Sequence, residues 1–79
     1  MLDVVNLQLT LAEVKELDDA LFATIRRMLR EGVTSAERLD NSLKYLISAE
    51  TKIHEQIFCN ANSQRMKELR HLISTSDVF

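Results

Sequence analysis

Residues 10–37 read TLAEVKELDDALFATIRRMLREGVTSAE and contain two helix-start signals on either side of the chain's only glycine. In each signal a glutamate follows a threonine by three residues, as in Thr10 with Glu13 and Thr34 with Glu37. Such a capping box satisfies two free amides at a helix N-terminus. Gly32 can adopt the left-handed conformation that commonly closes a helix. We therefore expect an all-α antiparallel helical hairpin, with a connection of about two to four residues.

Helix one is predicted over residues 10–31. Its acidic residues lie in the early turns and its arginines in the late turns, which complements the helix dipole. Apolar residues recur at steps of three and four, so they share one face of the helix. That face comprises Leu11, Val14, Leu17, Leu21, Ile25 and Met28, and it is widened by Phe22 and Leu29.

Helix two is predicted over residues 35–59 with a coiled-coil-like seam that one acidic residue, Glu50, interrupts. A buried carboxylate without a partner is costly, so Glu50 needs a counter-charge or access to solvent. Its carboxylate lies either at the edge of the seam near Arg26 or Arg27, or at a position that selects the register or the partner. The seam consists of Ala36, Leu39, Leu43, Leu46, Glu50, Ile53 and Ile57, with Ile47 and Phe58 beside it.

The two ends of the chain leave alternatives open. Residues 60–63 are rich in Asn and Ser, which favour helix caps, so we expect a break there and a short third helix over residues 63–74. An uninterrupted helix over residues 35–74 competes with this interpretation, because no Gly or Pro forces a stop. Within residues 1–9, the apolar positions 5, 7 and 9 alternate with the polar positions 6 and 8, and we expect an extended arm across the hairpin or a segment that orders on a partner.

Length and charge restrict the class of protein. With 79 residues, the chain is expected to form a single helical domain over residues 1–79. Its net charge of −2 gives no reason to bind nucleic acid or an anionic membrane. No apolar run approaches the roughly 20 residues of a membrane span, and Met1-Leu2-Asp3 does not resemble a signal peptide. We expect a cytoplasmic protein.

Catalysis and metal binding are not expected from these residues. Cys59, His54 and Glu55 are close in sequence, but positions 54 and 59 diverge on a helix, so a nucleophile and a base do not converge. Cys59 is expected to be a buried or interfacial thiol. His54 and His71 are expected to be exposed helix residues, and with one cysteine they make no convincing zinc set. We therefore predict that the chain is not an enzyme and that it needs no cofactor.

The apolar faces are wider than a two-helix seam can cover. Leaving several such side chains in water forgoes an amount of free energy comparable to a small domain's stability. We therefore expect these faces to pack against another helical protein or against a second copy in a homodimeric four-helix bundle. The residues expected to carry packing and partner contact are Leu17, Leu21, Phe22, Ile25, Leu39, Leu43, Leu46, Ile47, Ile53, Ile57 and Phe58.

A family resemblance rests on residues 17–21 (LDDAL), residues 26–27 (RR) and the turn at residues 30–32 (REG), then residues 46–50 (LISAE) followed by Ile53 and Ile57. Together these parts resemble the YscE-like co-chaperones of type III secretion systems. These are small bacterial cytoplasmic proteins that help to hold a needle subunit unpolymerised. The resemblance covers roughly half to two thirds of the chain and does not extend beyond Asn60. It implies a helical hairpin bound to a helical-repeat chaperone, with the pair masking the C-terminal helix of the needle subunit.

Overall fold

A computed structural model describes residues 4–5, 7–60 and 63–76, and within them the chain is all-α, as predicted. Four α-helices and one π-helical turn follow one another without a strand in these residues. The helices are α1 (Leu11–Glu31), α2 (Ser35–Leu39), α3 (Ser42–Lys52) and α4 (Gln64–Thr75). The π-helical turn, Ile53–Ile57, continues directly from α3.

Both predicted capping boxes are confirmed. The Thr10 amide donates to the Glu13 carboxylate over 2.9 Å, and the Glu13 amide donates back to the Thr10 hydroxyl over 3.2 Å. The same pair of hydrogen bonds starts α2 at Thr34. Gly32 ends α1 with φ +96°, a conformation that side chains disfavour, and its amide donates to the carbonyl of Met28. The local signals thus set the ends of α1 and the start of α2.

The structure divides the predicted second helix at Asp40 and Asn41. Asn41 has φ 55°, in the left-handed region that ends a helix and that Asn tolerates better than most residues. Leu39, expected in the seam, is the last residue of α2 and is 82% exposed. The seam register therefore holds only through α3, where Leu43 and Glu50 are buried, and it fails again at Ile57, which is exposed.

The core lies where α1 packs against both α3 and α4. The buried stripe of α1 runs through Val14, Asp18, Phe22, Ile25 and Leu29, at steps of four, four, three and four. This stripe differs from the predicted one, because Leu17 lies outside it and is exposed. The main apolar cluster consists of Phe22, Ile25, Met28, Leu29, Leu43, Met66, Leu69 and Leu72.

The helical path breaks between the π-helical turn and α4, so no continuous helix spans residues 35–74. Cys59 has φ 52°, and Ser63 then caps α4 by accepting a hydrogen bond from the Met66 amide. Residues 61 and 62, within the predicted break, lie outside the described residues. A third helix therefore begins about where the cap-forming residues placed it, and it buries Met66 and Leu69.

The described part of the predicted arm, residues 4–5 and 7–9, is neither helix nor strand and is exposed; residues 1–3 and 6 lie outside the described residues. None of the helices in the described ranges combines the length and the apolar character needed to cross a membrane.

Candidate functional site

Three polar side chains are buried among the described residues: Asp18 of α1, Glu50 of α3 and His54 of the π-helical turn. The Nε2 atom of His54 lies 2.9 Å from Asp18 Oδ1 and 3.2 Å from Glu50 Oε1. We call these three residues the polar cluster. They come together because α1 packs on α3 and because positions 50 and 54 are one helical turn apart.

Arg65 connects the polar cluster to α4. Its Nη1 atom donates to Asp18 Oδ2 over 2.6 Å and to Asp19 Oδ1 over 2.7 Å. The guanidinium also lies 5.0 Å from the centre of the Phe22 ring, close enough for a cation–π contact. Arg65 is one-third exposed, so it connects the polar cluster to solvent.

The imidazole of His54 is held at both nitrogen atoms. Its Nδ1 atom lies 3.0 Å from the hydroxyl of Ser63, and that hydroxyl also accepts the Met66 amide at the start of α4. The ring meets Phe58 edge to face at 5.2 Å. With Ser63 at Nδ1 and Asp18 at Nε2, the orientation of the ring is fixed from two sides.

Glu50 is fully buried, and neither of its carboxylate oxygens has a hydrogen-bond donor among the described residues. Burial, together with the proximity of Asp18, raises the pKa of Glu50 to about 8. A neutral Glu50 carries a proton that it can share with Asp18. Burial alone would favour the neutral form of Asp18 as well, but the hydrogen bond with Glu50 and the charges of His54 and Arg65 lower the pKa of Asp18 overall.

The π-helical turn shapes this site. The Phe58 amide donates to the Ile53 carbonyl, five residues back, over 3.1 Å, and the His54 carbonyl accepts from Asn60 over 2.7 Å. One extra residue in a helical turn changes the direction of the side chains that follow, and such turns occur frequently at functional sites. Here the turn contains His54, whose imidazole can coordinate a metal ion.

Two expected placements of polar residues are wrong. His54 is buried rather than exposed, and Glu50 lies in the core beside Asp18 rather than at an edge near Arg26 or Arg27. Those arginines are occupied elsewhere, because Arg27 pairs with Glu37 over 2.6 Å and Arg26 lies 5.5 Å from the Phe22 ring centre. In addition, Cys59 is exposed, which excludes a buried thiol, whereas an interfacial thiol stays a prediction.

Sequence reasoning missed Asp18 as a member of the site. The signal was present, since Asp18 lies four residues after Val14 and four before Phe22, on the face that the structure buries. Glu50 and His54 also showed the spacing of four that places two side chains on one helical face.

A second feature adjoins the start of α1. An apolar groove of about 680 Å³ lies between the arm and the π-helical turn. Leu7 is 73% exposed, and Leu9, Leu11 and Ile57 are also exposed, so the groove is open along one side. The residues that line this apolar groove are Val5, Leu7, Leu9, Leu11, Val14, Gln56 and Ile57.

The residues expected to carry packing and partner contact fall into four groups. Phe22, Ile25 and Leu43 are buried in the core, and Ile57 lies in the apolar groove. Leu17 and Leu39 are exposed outside that groove. The half-buried members are Leu21, Leu46, Ile47, Ile53 and Phe58.

Comparison of the chain with protein-family models, with curated proteins and with solved structures finds no match.

Proposed function

We propose that this chain is a non-catalytic protein-binding module and that a helix of another protein binds in its apolar groove. The single observation that carries the proposal is the row of aliphatic side chains left in solvent around the groove, among them Leu7, Leu9 and Leu11. Full burial of one such side chain contributes about 1.5–3 kcal/mol. Several together supply enough free energy for specific association after the cost of ordering is met.

The shape of the groove favours a helix as its occupant. One wall is the first turn of α1, with Leu11 and Val14, and the other includes Ile57 at the end of the π-helical turn. Apolar side chains of an amphipathic helix, three and four residues apart, fill a groove of this kind. The arm residues Leu7 and Leu9 then close over the bound helix.

The cellular role that we propose is that of a cytoplasmic co-chaperone in bacterial type III secretion. The resemblance of residues 17–21, 30–32 and 46–50 to the YscE-like family supports this role. On this proposal, a helical-repeat chaperone occupies the apolar groove, and the resulting pair keeps a needle subunit soluble.

Site-specific photocrosslinking tests the proposal. A photoreactive phenylalanine analogue replaces Leu9 in the groove, and in a matched variant it replaces Leu39, which is exposed outside the groove. Each variant is co-expressed with a needle subunit and its helical-repeat chaperone. We expect an adduct with the chaperone from position 9 and none from position 39.

Two outcomes would count against the proposal. Adducts from position 9 to a second copy of the chain, with light scattering showing a mass near twice 9.1 kDa, would identify a homodimeric bundle instead. A stable monomer that gives no adduct from either position would refute a docking role for the groove.

A further inference from the structure

The polar cluster has the composition of a metal site. Asp18, Glu50 and His54 each offer one ligand atom, and these atoms all lie within 4.8 Å of one another. In a tetrahedral zinc site with bonds near 2.0–2.1 Å, neighbouring ligand atoms are about 3.3 Å apart. The distances of 2.9 Å and 3.2 Å from His54 Nε2 to the two carboxylates are already close to that value. An ion would also require the Asp18 and Glu50 oxygen atoms to stand about 3.3 Å apart, and they lie within 4.8 Å of each other.

Glu50 supplies an independent indication of a ligand. Its side chain is fully buried and directed into the polar cluster, and both of its oxygen atoms lack a donor among the described residues. The neutral Glu50 can donate its proton to Asp18, but the ionised carboxylate would have no donor, and buried polar groups in native proteins are nearly always paired, so the ionised form calls for a counter-ion. A cation between Glu50, Asp18 and His54 would satisfy both the charge and the lone pairs of this carboxylate.

The surrounding charges also match a divalent ion. With Glu50 ionised, the site contains three carboxylates, those of Asp18, Asp19 and Glu50, and one guanidinium, that of Arg65, which sum to −2. A divalent cation neutralises that sum. Arg65 does not occupy the ligand position, because it binds Oδ2 of Asp18 whereas Oδ1 faces His54.

The second nitrogen of His54 has the outer partner that metal-binding histidines need. In such sites the nitrogen that is not bound to the metal usually donates a hydrogen bond, which fixes the tautomer and the ring orientation. The Ser63 hydroxyl lies 3.0 Å from Nδ1 of His54, so it can accept this hydrogen bond while it also accepts the Met66 amide. Nε2 is then left free to bind the ion.

We propose that Asp18, Glu50 and His54 bind one divalent transition-metal ion, of which Zn²⁺ is the representative, with water as the fourth ligand. One imidazole and two carboxylates suit zinc and its neighbours in the first transition series better than Ca²⁺ or Mg²⁺, which prefer oxygen ligands alone. The ion would join α1, α3 and the π-helical turn. This site is separate from the proposed docking role of the apolar groove.

Zinc titration of the metal-free protein, followed by calorimetry and by thermal unfolding, tests the site directly. We expect binding of one Zn²⁺ per chain and an unfolding midpoint that rises with zinc concentration, because an ion that binds only the folded state stabilises it. Ca²⁺ and Mg²⁺ should not raise the midpoint. With Co²⁺ as the probe, we expect the visible spectrum of a nitrogen- and oxygen-ligated ion without a thiolate charge-transfer band.

Glu50→Gln is the decisive variant because it is isosteric and resembles the neutral glutamic acid that the core already accommodates, so the chain should still fold. We expect it to weaken zinc binding at least about 100-fold, and Ser63→Ala to weaken it about 10- to 100-fold through the orientation of His54. The matched control is the double variant Cys59→Ser with His71→Gln, which removes the exposed thiol and the exposed imidazole and should bind zinc as the wild type does.

Two results would overturn the metal site. Absence of any zinc-dependent rise in the unfolding midpoint would show that the polar cluster is a hydrogen-bonded network alone. Zinc binding that persists in Glu50→Gln but disappears in the Cys59→Ser, His71→Gln control would assign the ion to the surface instead.

Discussion

Glu50→Gln is expected to stabilise the metal-free protein at neutral and alkaline pH and to have little effect in acid. The folded chain raises the pKa of Glu50 from 4.5 to about 8, through burial and the proximity of Asp18. Between these two pH values the folded chain therefore binds more protons than the unfolded chain. Stability of the wild type falls as the pH rises through this window. Glutamine does not titrate, so the variant avoids that loss.

The expected magnitude follows from the size of the shift. Each pKa unit corresponds to about 1.4 kcal/mol. At pH 7, the raised pKa of Glu50 therefore lowers the free energy of unfolding of the wild type by at most about 3 kcal/mol relative to acid pH. Screening by solvent that reaches Arg65 reduces this figure, and we expect a gain of ~1–3 kcal/mol for the variant. The whole chain should have a stability of roughly 4–12 kcal/mol, so the gain is readily measurable. The lowered pKa of Asp18 gives the opposite slope, but only as the pH falls below its usual value of 3.8.

Urea unfolding followed by circular dichroism, with a metal chelator present, measures the effect at about pH 5 and about pH 8. Glu55→Gln is the matched control, because Glu55 lies on the same π-helical turn but is exposed. This control should keep the wild-type dependence on pH. If Glu50→Gln and the wild type lose stability equally between the two pH values, the reasoning about Glu50 is refuted.

Three further variants, two of them with a matched control variant, test the core, a cap and the groove. Ile25→Ala, at a fully buried position, should cost about 2–5 kcal/mol in urea unfolding, whereas Leu17→Ala on the exposed side should change stability by less than about 0.5 kcal/mol. Thr10→Ala removes the first capping box and should cost about 1 kcal/mol by the same assay. Leu9→Asp should abolish capture by an immobilised helical-repeat chaperone, while Leu39→Asp should retain it, and equal capture by both would exclude the groove as the binding surface.

The helix starts could be predicted from the sequence because each depends on residues that are close together in the chain. The capping boxes at Thr10 and Thr34 depend on side chains only three residues apart, and both form. The turn at Asp40 and Asn41 was missed because the apolar seam was followed through it, although both residue types favour turns. The periodicity of apolar residues thus predicted that this segment is helical. It could not predict the turn, because the turn depends on polar residues that an apolar pattern leaves out.

The polar cluster could not be assembled from the sequence, because its contacts are distant along the chain. Asp18 meets His54 across 36 positions and Arg65 across 47 positions. An apolar-periodicity search also passes over Asp18, since it treats a carboxylate as a surface residue. Glu50 was recognised as anomalous, but its partner was sought on the wrong part of α1, among Arg26 and Arg27.

Glu50 links the pH dependence to the proposed metal ion, because a proton and the ion compete for the same carboxylate. Without the ion, stability falls as the pH rises from 4.5 toward 8. With Zn²⁺ present, higher pH removes the competing proton, so binding strengthens and the stabilisation grows over the same window. A hydrogen-bonded network alone produces only the first profile. Opposite slopes in chelator and in zinc, both absent in Glu50→Gln, therefore distinguish a metal centre from a buried network that does no more than specify how α1, α3 and α4 pack.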